Sequence, residues 1–267
     1  MEPKSQVVLI GQWENSYDSL MTINYHLPNG LFTGTYSSTT GASGKYLLVG
    51  YAPKNASGNY PVSLAIYWRS IEGGESNPTW NWVSIMSGQM ITDDKSTSPH
   101  MELLHGMVAS TDYSDISIHS PGVYTETLIF QQKEGKPTFP PSLEEGESII
   151  HELNSNWRNA DSSSFFQSLS LNTFDTAFIE GKIDTPTGAF DIAGLYDIDA
   201  TSSILESVAL SGLITYSNNI ESTISLGGWL SEDRNELRLI VYKSIAVPNS
   251  SKYASVNVIG TERFIKD

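Results

Sequence analysis

The residues of this sequence best suited to chemistry are polar side chains that share strand faces with aromatic ones. In "GVYTETLIF" the carboxylate of Glu126 falls on the same face as Tyr124 and Phe130, because side chains alternate along a strand. A carboxylate buried on such a face has to accept hydrogen bonds. The inward-facing set that alternation predicts combines aromatic walls with convergent polar groups: Trp68, Trp82, Asn15, Ser19, Tyr36, Ser38, Ser84 and Glu126.

A set of this kind is typical of a pocket that recognises a compact polar head and buries an apolar body. Alternation leaves a second interpretation open, in which the tryptophans are ordinary core residues. It also leaves open that Tyr36 and Ser38 lie on the outer surface of the sheet.

Motifs for catalysis and for metal binding are absent from the sequence. It has no G-x-S-x-G nucleophile elbow, no G-x-G-x-x-G, no G-x-x-x-x-G-K-[ST] and no cysteine. His100 and His105 are an odd number of residues apart on a predicted strand, so they face opposite sides and cannot share a metal. Each histidine is interpreted as a lone surface residue. We therefore expect a protein that is not an enzyme and that needs neither a metal nor a cofactor.

The amino-acid composition limits the classes of binding partner. Acidic residues outnumber basic ones 30 to 15, for a net charge of -15, which argues against nucleic acid and anionic membranes. No apolar run approaches the ~20 residues of a membrane-spanning helix. No signal peptide is evident, and both a cytoplasmic location and secretion with a signal already removed stay open.

The elements that would position these residues are strands almost throughout. In "PVSLAIYWR" the apolar residues Val62, Leu64, Ile66 and Trp68 alternate with others, whereas no segment keeps a helical period. We count eight candidate strands on each side of an acidic, proline-containing linker. The sequence predicts an all-β protein of two tandem eight-stranded antiparallel up-and-down β-barrels, over residues 1–132 and 149–267, with the linker at 133–148.

The two halves share short segments in the same order. "GQWEN" matches "SNWRN", and "YTETLIF" resembles "GTERFIK". This order and spacing predict an internal duplication.

The first half resembles the avidin/streptavidin family of biotin-binding barrels over about residues 7 to 131. The matching segments are "GQWENSYDS", "GLFTGTYSSTTG", "GKYLLVGY", "LAIYW" and "SGQ". The second half is a weaker match, through "NWRN", "TGAFDIAGLY", "LGGW" and "VIGTERF".

The resemblance implies roles for individual residues. Asn15, Ser19 and Tyr36 would donate hydrogen bonds to the biotin ureido oxygen, while Ser38 and Glu126 would accept from the two ureido N–H groups. Ser84 matches the hydroxyl that lies near the thioether sulfur of biotin, and Trp68 matches one tryptophan of the pocket wall. The tip of the loop that closes on the ligand corresponds to Thr40, Gly41 and Ala42. Trp82 has no clear family counterpart and either rebuilds part of the wall or blocks the lumen.

Departures from the family pattern predict weaker binding than in typical members. Met86 stands where the family has one tryptophan, and the position of a second family tryptophan aligns near Gly106, so both indoles are missing. In the second half Ile183 occupies the Tyr position, Tyr216 stands for the first Trp and Glu262 for the Asp. We expect that this barrel has lost or changed its ligand and packs against the first barrel.

Two functions stay open at this point. The first is a non-catalytic binder of biotin or a similar small molecule in the N-terminal barrel, forming a homo-oligomer (a dimer or higher) as the family commonly does. The second is an interaction or defence protein that binds a glycan or protein partner and does not bind biotin.

Overall fold

A computed structural model describes most of the chain. The described residues are 9–38, 44–54, 56, 58–71, 82–92, 98–110, 122–134, 147–198, 205–216, 218–248, 251 and 255–267. Over this part of the chain, no helix has the length and apolar character to cross a membrane.

The first eight strands form a closed antiparallel barrel in which each strand pairs with its sequence neighbour and the first pairs with the last. Closure leaves no strand edge exposed to solvent. The strands are β1 (Gly11–Asn15), β2 (Leu20–His26), β3 (Leu31–Ser38), β4 (Gly44–Tyr51), β5 (Tyr60–Ser70), β6 (Trp82–Ile91), β7 (His100–Ala109) and β8 (Gly122–Lys133).

The next eight strands form a second closed barrel with the same order, in which β9 pairs with β10 and β16. The all-β class and the two tandem antiparallel barrels are therefore confirmed. The strands are β9 (Asn156–Asn159), β10 (Ser168–Thr173), β11 (Phe178–Thr185), β12 (Gly188–Tyr196), β13 (Glu206–Thr215), β14 (Glu221–Leu230), β15 (Glu236–Ile245) and β16 (Val256–Lys266).

The first strand of each barrel is held by a buried tryptophan. Trp13 Nε1 donates to the Leu9 carbonyl at 3.0 Å, and Trp157 Nε1 donates to the Leu153 carbonyl at 3.1 Å. The bond to Leu153 keeps the chain before β9 in a turn. β9 itself begins at Asn156.

The two barrels pack against each other through outward-facing residues of β5, β6, β13, β14 and neighbouring strands. On β5 every second residue from Val62 to Trp68 faces the lumen of the first barrel. The residues between them, Ala65 and Tyr67, face outward and belong to a cluster that includes Ala209 and Tyr242 of the second barrel. Because both faces are covered, β6 is buried along its whole length.

Buried serine pairs cross this interface. Ser63 Oγ lies 2.6 Å from Ser211 Oγ, and Ser87 Oγ lies 2.8 Å from Ser244 Oγ. Ser225 Oγ also donates to the Met86 carbonyl at 2.7 Å. These bonds satisfy hydroxyls that would be costly to bury alone.

Two glycines let the barrels approach closely. A Cβ on Gly106 of the first barrel would lie 2.9 Å from the Tyr242 hydroxyl of the second. A Cβ on Gly227 of the second barrel would lie 2.9 Å from side-chain carbons of Ile85 and Val108 of the first. Each barrel thus offers a side-chain-free position to a side chain of the other.

Candidate ligand-binding site

The polar residues that the sequence singles out lie at one end of the first barrel, where β1 and β3 end and β6 and β8 begin. Asn15, the last residue of β1, is oriented by the tight turn that follows it. Its Oδ1 accepts the backbone N–H groups of Tyr17 and Ser19, both at 3.0 Å. Asp18 occupies the turn with a φ of 60°. With its oxygen held this way, the amide Nδ2 donates to the Tyr36 hydroxyl at 3.4 Å.

Asn15, Ser19 and Tyr36 form one buried cluster. The side chains of Ser19 and Asn15 both hydrogen-bond to Tyr36, and all three residues are almost inaccessible to solvent. Burial raises the pKa of the Tyr36 phenol, and this outweighs the lowering effect of its hydrogen bonds to Ser19 and Asn15. The phenol therefore keeps its proton at neutral pH and can act as a donor.

An aromatic wall borders this cluster. The Tyr36 and Trp68 rings meet edge to face with centroids 5.8 Å apart, and the Tyr46 ring also packs against Trp68, with centroids 4.9 Å apart. Trp82 is also buried and belongs to the same hydrophobic core as Trp68. The aromatics are thus core residues, as one interpretation of the sequence holds, and they also surround polar groups.

A chain of hydrogen bonds joins Trp68, Ser84 and Glu126 through His105. Trp68 Nε1 donates to Ser84 Oγ at 2.7 Å, and Ser84 Oγ lies 2.9 Å from His105 Nε2. His105 Nδ1 lies 3.1 Å from Glu126 Oε1. Tyr17 completes the chain by donating its hydroxyl to Glu126 Oε2 at 3.3 Å.

The interpretation of each histidine as a lone surface residue is wrong for His105 and His100, which are only 6% and 8% exposed. Alternation along β7 carries the missing signal, since it places His105 on the face of Met101 and Leu103, which are core residues. Among the described residues, no group of three His, Asp or Glu side chains is close enough to hold a metal ion.

Glu126 lies at the mouth of the barrel, and its side chain is 43% exposed. The expectation of a buried carboxylate is therefore wrong. The hydrogen bond from His105 is the main reason that the pKa of Glu126 lies below its usual value, so the group is ionised at neutral pH.

The strand register also revises the alignment near Gly106. His105 pairs with Met86 on one side and Glu126 on the other. Because neighbouring residues of a strand face opposite sides, Gly106 faces the second barrel and His105 is the residue inside.

Ser38 is half-buried at the end of β3, opposite Gly44. Thr40, Gly41 and Ala42 lie outside the described residues.

The interior of the second barrel is aliphatic at the equivalent levels. Following the strand register from Asn159 places Ile183 at the level of Tyr36, and then places Ile214, Ile224 and Val241 at those of Trp68, Ser84 and His105. All four are fully buried. Ile214, not Tyr216, is therefore the counterpart of Trp68, because Tyr216 follows the end of β13.

A polar cluster near the mouth of the second barrel is satisfied by hydrogen bonds within the protein. Asn159 Nδ2 donates to the Phe166 carbonyl at 2.7 Å and to Glu262 Oε2 at 2.6 Å. Ser164 Oγ also donates to Glu262, at 2.8 Å. Glu262 is two residues before Phe264, the partner of Asn159, whereas Glu126 is four before Phe130, the partner of Asn15. The two carboxylates are therefore not equivalent in register.

Comparison with known proteins finds one family whose sequence model matches most of the first barrel. Residues 3–119 match the sequence model of the Avidin family. No curated protein sequence matches the chain. The structure of Xenavidin is 18% identical, with a TM-score of 0.38, and the match covers 47% of this chain and 96% of Xenavidin.

Two further solved structures cover about half of this chain. A biotin binding protein from chicken is 16% identical with a TM-score of 0.39, and the match covers 49% of this chain and 100% of that protein. AVR2 is 23% identical with a TM-score of 0.39, and the match again covers 49% of this chain and 100% of AVR2.

Proposed function

We propose that this chain, a tandem pair of avidin-like barrels, holds biotin or a biotin-like ligand in the lumen of its first barrel without catalysing a reaction. The observation that carries the proposal is the convergence of Asn15, Ser19 and Tyr36 at one end of that barrel. Avidin family members are non-catalytic binders, and one of the similar structures is a biotin binding protein.

Three donors around one point suit a single strong acceptor. An amide N–H and two hydroxyls can surround the carbonyl oxygen of a urea, which carries more negative charge than an ordinary amide oxygen. Because the site is shielded from water, each of these bonds is stronger than it would be in solvent. The raised pKa of Tyr36 keeps its proton in place for this role.

The apolar part of the ligand would contact the Trp68 side of the lumen. Stacked and edge-on aromatic rings provide a large apolar surface with little conformational freedom to lose. Trp68 is held by ring contacts with Tyr36 and Tyr46 and by the hydrogen bond from its nitrogen to Ser84. This preorganisation lowers the cost of ordering the wall on binding.

Isothermal titration with biotin tests the proposal, and we expect one site per chain. Tyr36→Phe removes one donor and should raise the dissociation constant about tenfold, the equivalent of about 1.4 kcal/mol. Tyr60→Phe is the matched control, because Tyr60 is also a buried tyrosine of the same core but starts β5 at the opposite end of the barrel. An equal effect of the two substitutions would contradict the site.

The second barrel is proposed to be a scaffold. Its lumen positions are filled by Ile183, Ile214, Ile224 and Val241, and the amide of Asn159 is already bonded within the protein. Its packing against the first barrel suits that role. A titration that finds two equivalent biotin sites per chain would overturn this part.

The alternative function is an interaction protein that binds a glycan or protein partner and not biotin. It is favoured by the hydrogen-bond chain through His105, which leaves Ser84 and Glu126 engaged within the protein. No heat of binding with biotin, together with retention on a glycan array, would favour it. Association into homo-oligomers is also expected, and light scattering after size-exclusion chromatography measures it.

A further inference from the structure

His105 occupies the part of the first barrel where a ligand would meet Ser84 and Glu126. Both ring nitrogens have partners, Ser84 Oγ at 2.9 Å and Glu126 Oε1 at 3.1 Å. The residue is on β7, between Met86 of β6 and Glu126 of β8. It therefore links two strands from inside the lumen.

The neighbours of the ring determine where the protons lie. The Trp68 indole N–H can only donate, so Ser84 Oγ accepts at that contact. The carboxylate of Glu126 can only accept, so His105 Nδ1 carries a proton toward it. In the neutral ring Nε2 is then an acceptor, and it takes the only proton of the Ser84 hydroxyl.

Both groups are consequently engaged before a ligand arrives. With the imidazole neutral, Ser84 uses its proton on His105 and one lone pair on Trp68. Glu126 has one oxygen bonded to His105 and the other to the hydroxyl of Tyr17. A ligand acceptor directed at Ser84 has to displace a bond that the protein already makes, and a ligand N–H directed at Glu126 has to share an oxygen that already accepts from His105 or Tyr17.

We propose that His105 is a specificity-determining residue that acts as an internal competitor for the ligand. It occupies the Ser84 proton and a Glu126 oxygen, whereas Asn15 keeps a second amide proton and Tyr36 its phenolic proton for a ligand oxygen. The lumen therefore favours a head group with a carbonyl acceptor, while the bonds from His105 and Tyr17 weaken Glu126 as an acceptor for a ligand N–H. This inference rests on the proposed binding of a biotin-like ligand in this barrel.

A double-mutant cycle with biotin as the probe tests the proposal. In the wild type, Ser84→Ala should change the dissociation constant less than about threefold, because Ser84 is already bonded within the protein. His105→Phe keeps a ring but removes both nitrogens, which frees Ser84 and Glu126, and should tighten biotin binding about tenfold or more. In the His105→Phe background, Ser84→Ala should remove much of that gain.

His100→Phe is the matched control, because His100 is buried on the same strand but faces away from the lumen and contacts the Ser98 carbonyl. We expect it to leave biotin affinity unchanged. Melting temperatures establish that each variant is folded.

A direct readout of the ring is its nitrogen chemical shifts by NMR, where the ligand-free protein should show the tautomer protonated at Nδ1. The inference is overturned if His105→Phe leaves biotin affinity unchanged, if Ser84→Ala weakens binding tenfold in the wild type, or if the other tautomer is found. Binding of biotin by the His105→Phe variant but not by the wild type supports the inference. Failure of both folded proteins to bind biotin would overturn the proposed function itself, and the inference with it.

Discussion

Asn15 and Asn159 occupy equivalent positions at the ends of β1 and β9, and the partners of their amide groups differ. In both, the side-chain oxygen accepts a backbone N–H of the following turn. Asn15 directs its Nδ2 to Tyr36 in the lumen, whereas Asn159 directs its Nδ2 to a backbone carbonyl and Glu262. The same residue type therefore contributes to a candidate binding site in one barrel and only to local structure in the other.

Substituting each asparagine by alanine should separate these roles. Asn15→Ala should weaken biotin binding about tenfold and also destabilise the fold by about 1–2 kcal/mol, because two turn N–H groups lose their acceptor. Asn159→Ala should cost a similar amount of stability and leave affinity unchanged. Denaturant unfolding and calorimetric titration measure the two effects, and a loss of affinity in Asn159→Ala would contradict the assignment.

At the scale of the element, strand pairing depends on glycines where neighbouring backbones come close. Gly88 on β6 and Gly228 on β14 are the clearest pair. A Cβ on Gly88 would lie 1.8 Å from the Glu102 carbonyl oxygen, and a Cβ on Gly228 would lie 1.8 Å from that of Arg238. Glycine within a strand often marks such a contact. The requirement recurs at matching places in both barrels.

Gly88→Ala should therefore disrupt the pairing of β6 with β7. We expect a loss of unfolding free energy on the order of 3 kcal/mol, since backbone atoms cannot yield as a flexible side chain can. Gly122→Ala on β8 is the control, because the nearest atom to its Cβ would be 3.6 Å away. Equal stabilities of the two variants in urea would show that the close approach does not matter.

At the scale of the whole molecule, the interface between the barrels contains buried charge as well as apolar contacts. Asp197 of the second barrel is fully buried and lies near Arg69 and the Tyr67 hydroxyl of the first. Glu206 lies close behind it, 2.9 Å from Arg234. Burial raises the pKa of Glu206 to about 8, although Arg234 acts in the opposite direction.

This shift makes stability depend on pH. Between the ordinary glutamate pKa of 4.5 and about 8, the folded protein retains a proton that the unfolded chain has lost. The contribution to stability is therefore complete below this window and is lost as the pH rises through it, by at most about 1.4 kcal/mol per pH unit.

Glu206→Gln should abolish that dependence. We expect the melting temperature of the wild type to fall relative to the variant as the pH is raised from about 5 to about 8. The comparison is made at each pH because His151, 3.2 Å away, has a pKa lowered by burial and titrates in its own right. If the difference in melting temperature between the wild type and the variant stays constant with pH, Glu206 is ionised throughout this range.

Much of the fold follows from alternation in the sequence. Period-two patterns locate nearly every strand, and eight short-connected strands on each side of a linker predict two closed barrels, which the structure confirms. The same patterns place Trp13 and Asn15 on one face of β1, and they place every second residue from Val62 to Trp68 on one face of β5. The structure shows both. Alternation works because successive side chains of a strand face opposite sides whatever lies beyond them.

The sequence by itself determined the strands, the closure of two barrels and the shared strand face of Trp13 and Asn15, because these depend on local pattern. The tertiary structure decided that His105 bridges Ser84 and Glu126, that the outer faces of β5 and β6 are covered by the second barrel, and that Ile214 replaces Trp68 there. These facts depend on register between strands and on packing between barrels. A shift of two residues preserves the alternation and still changes every partner, so the pattern of one strand cannot specify them.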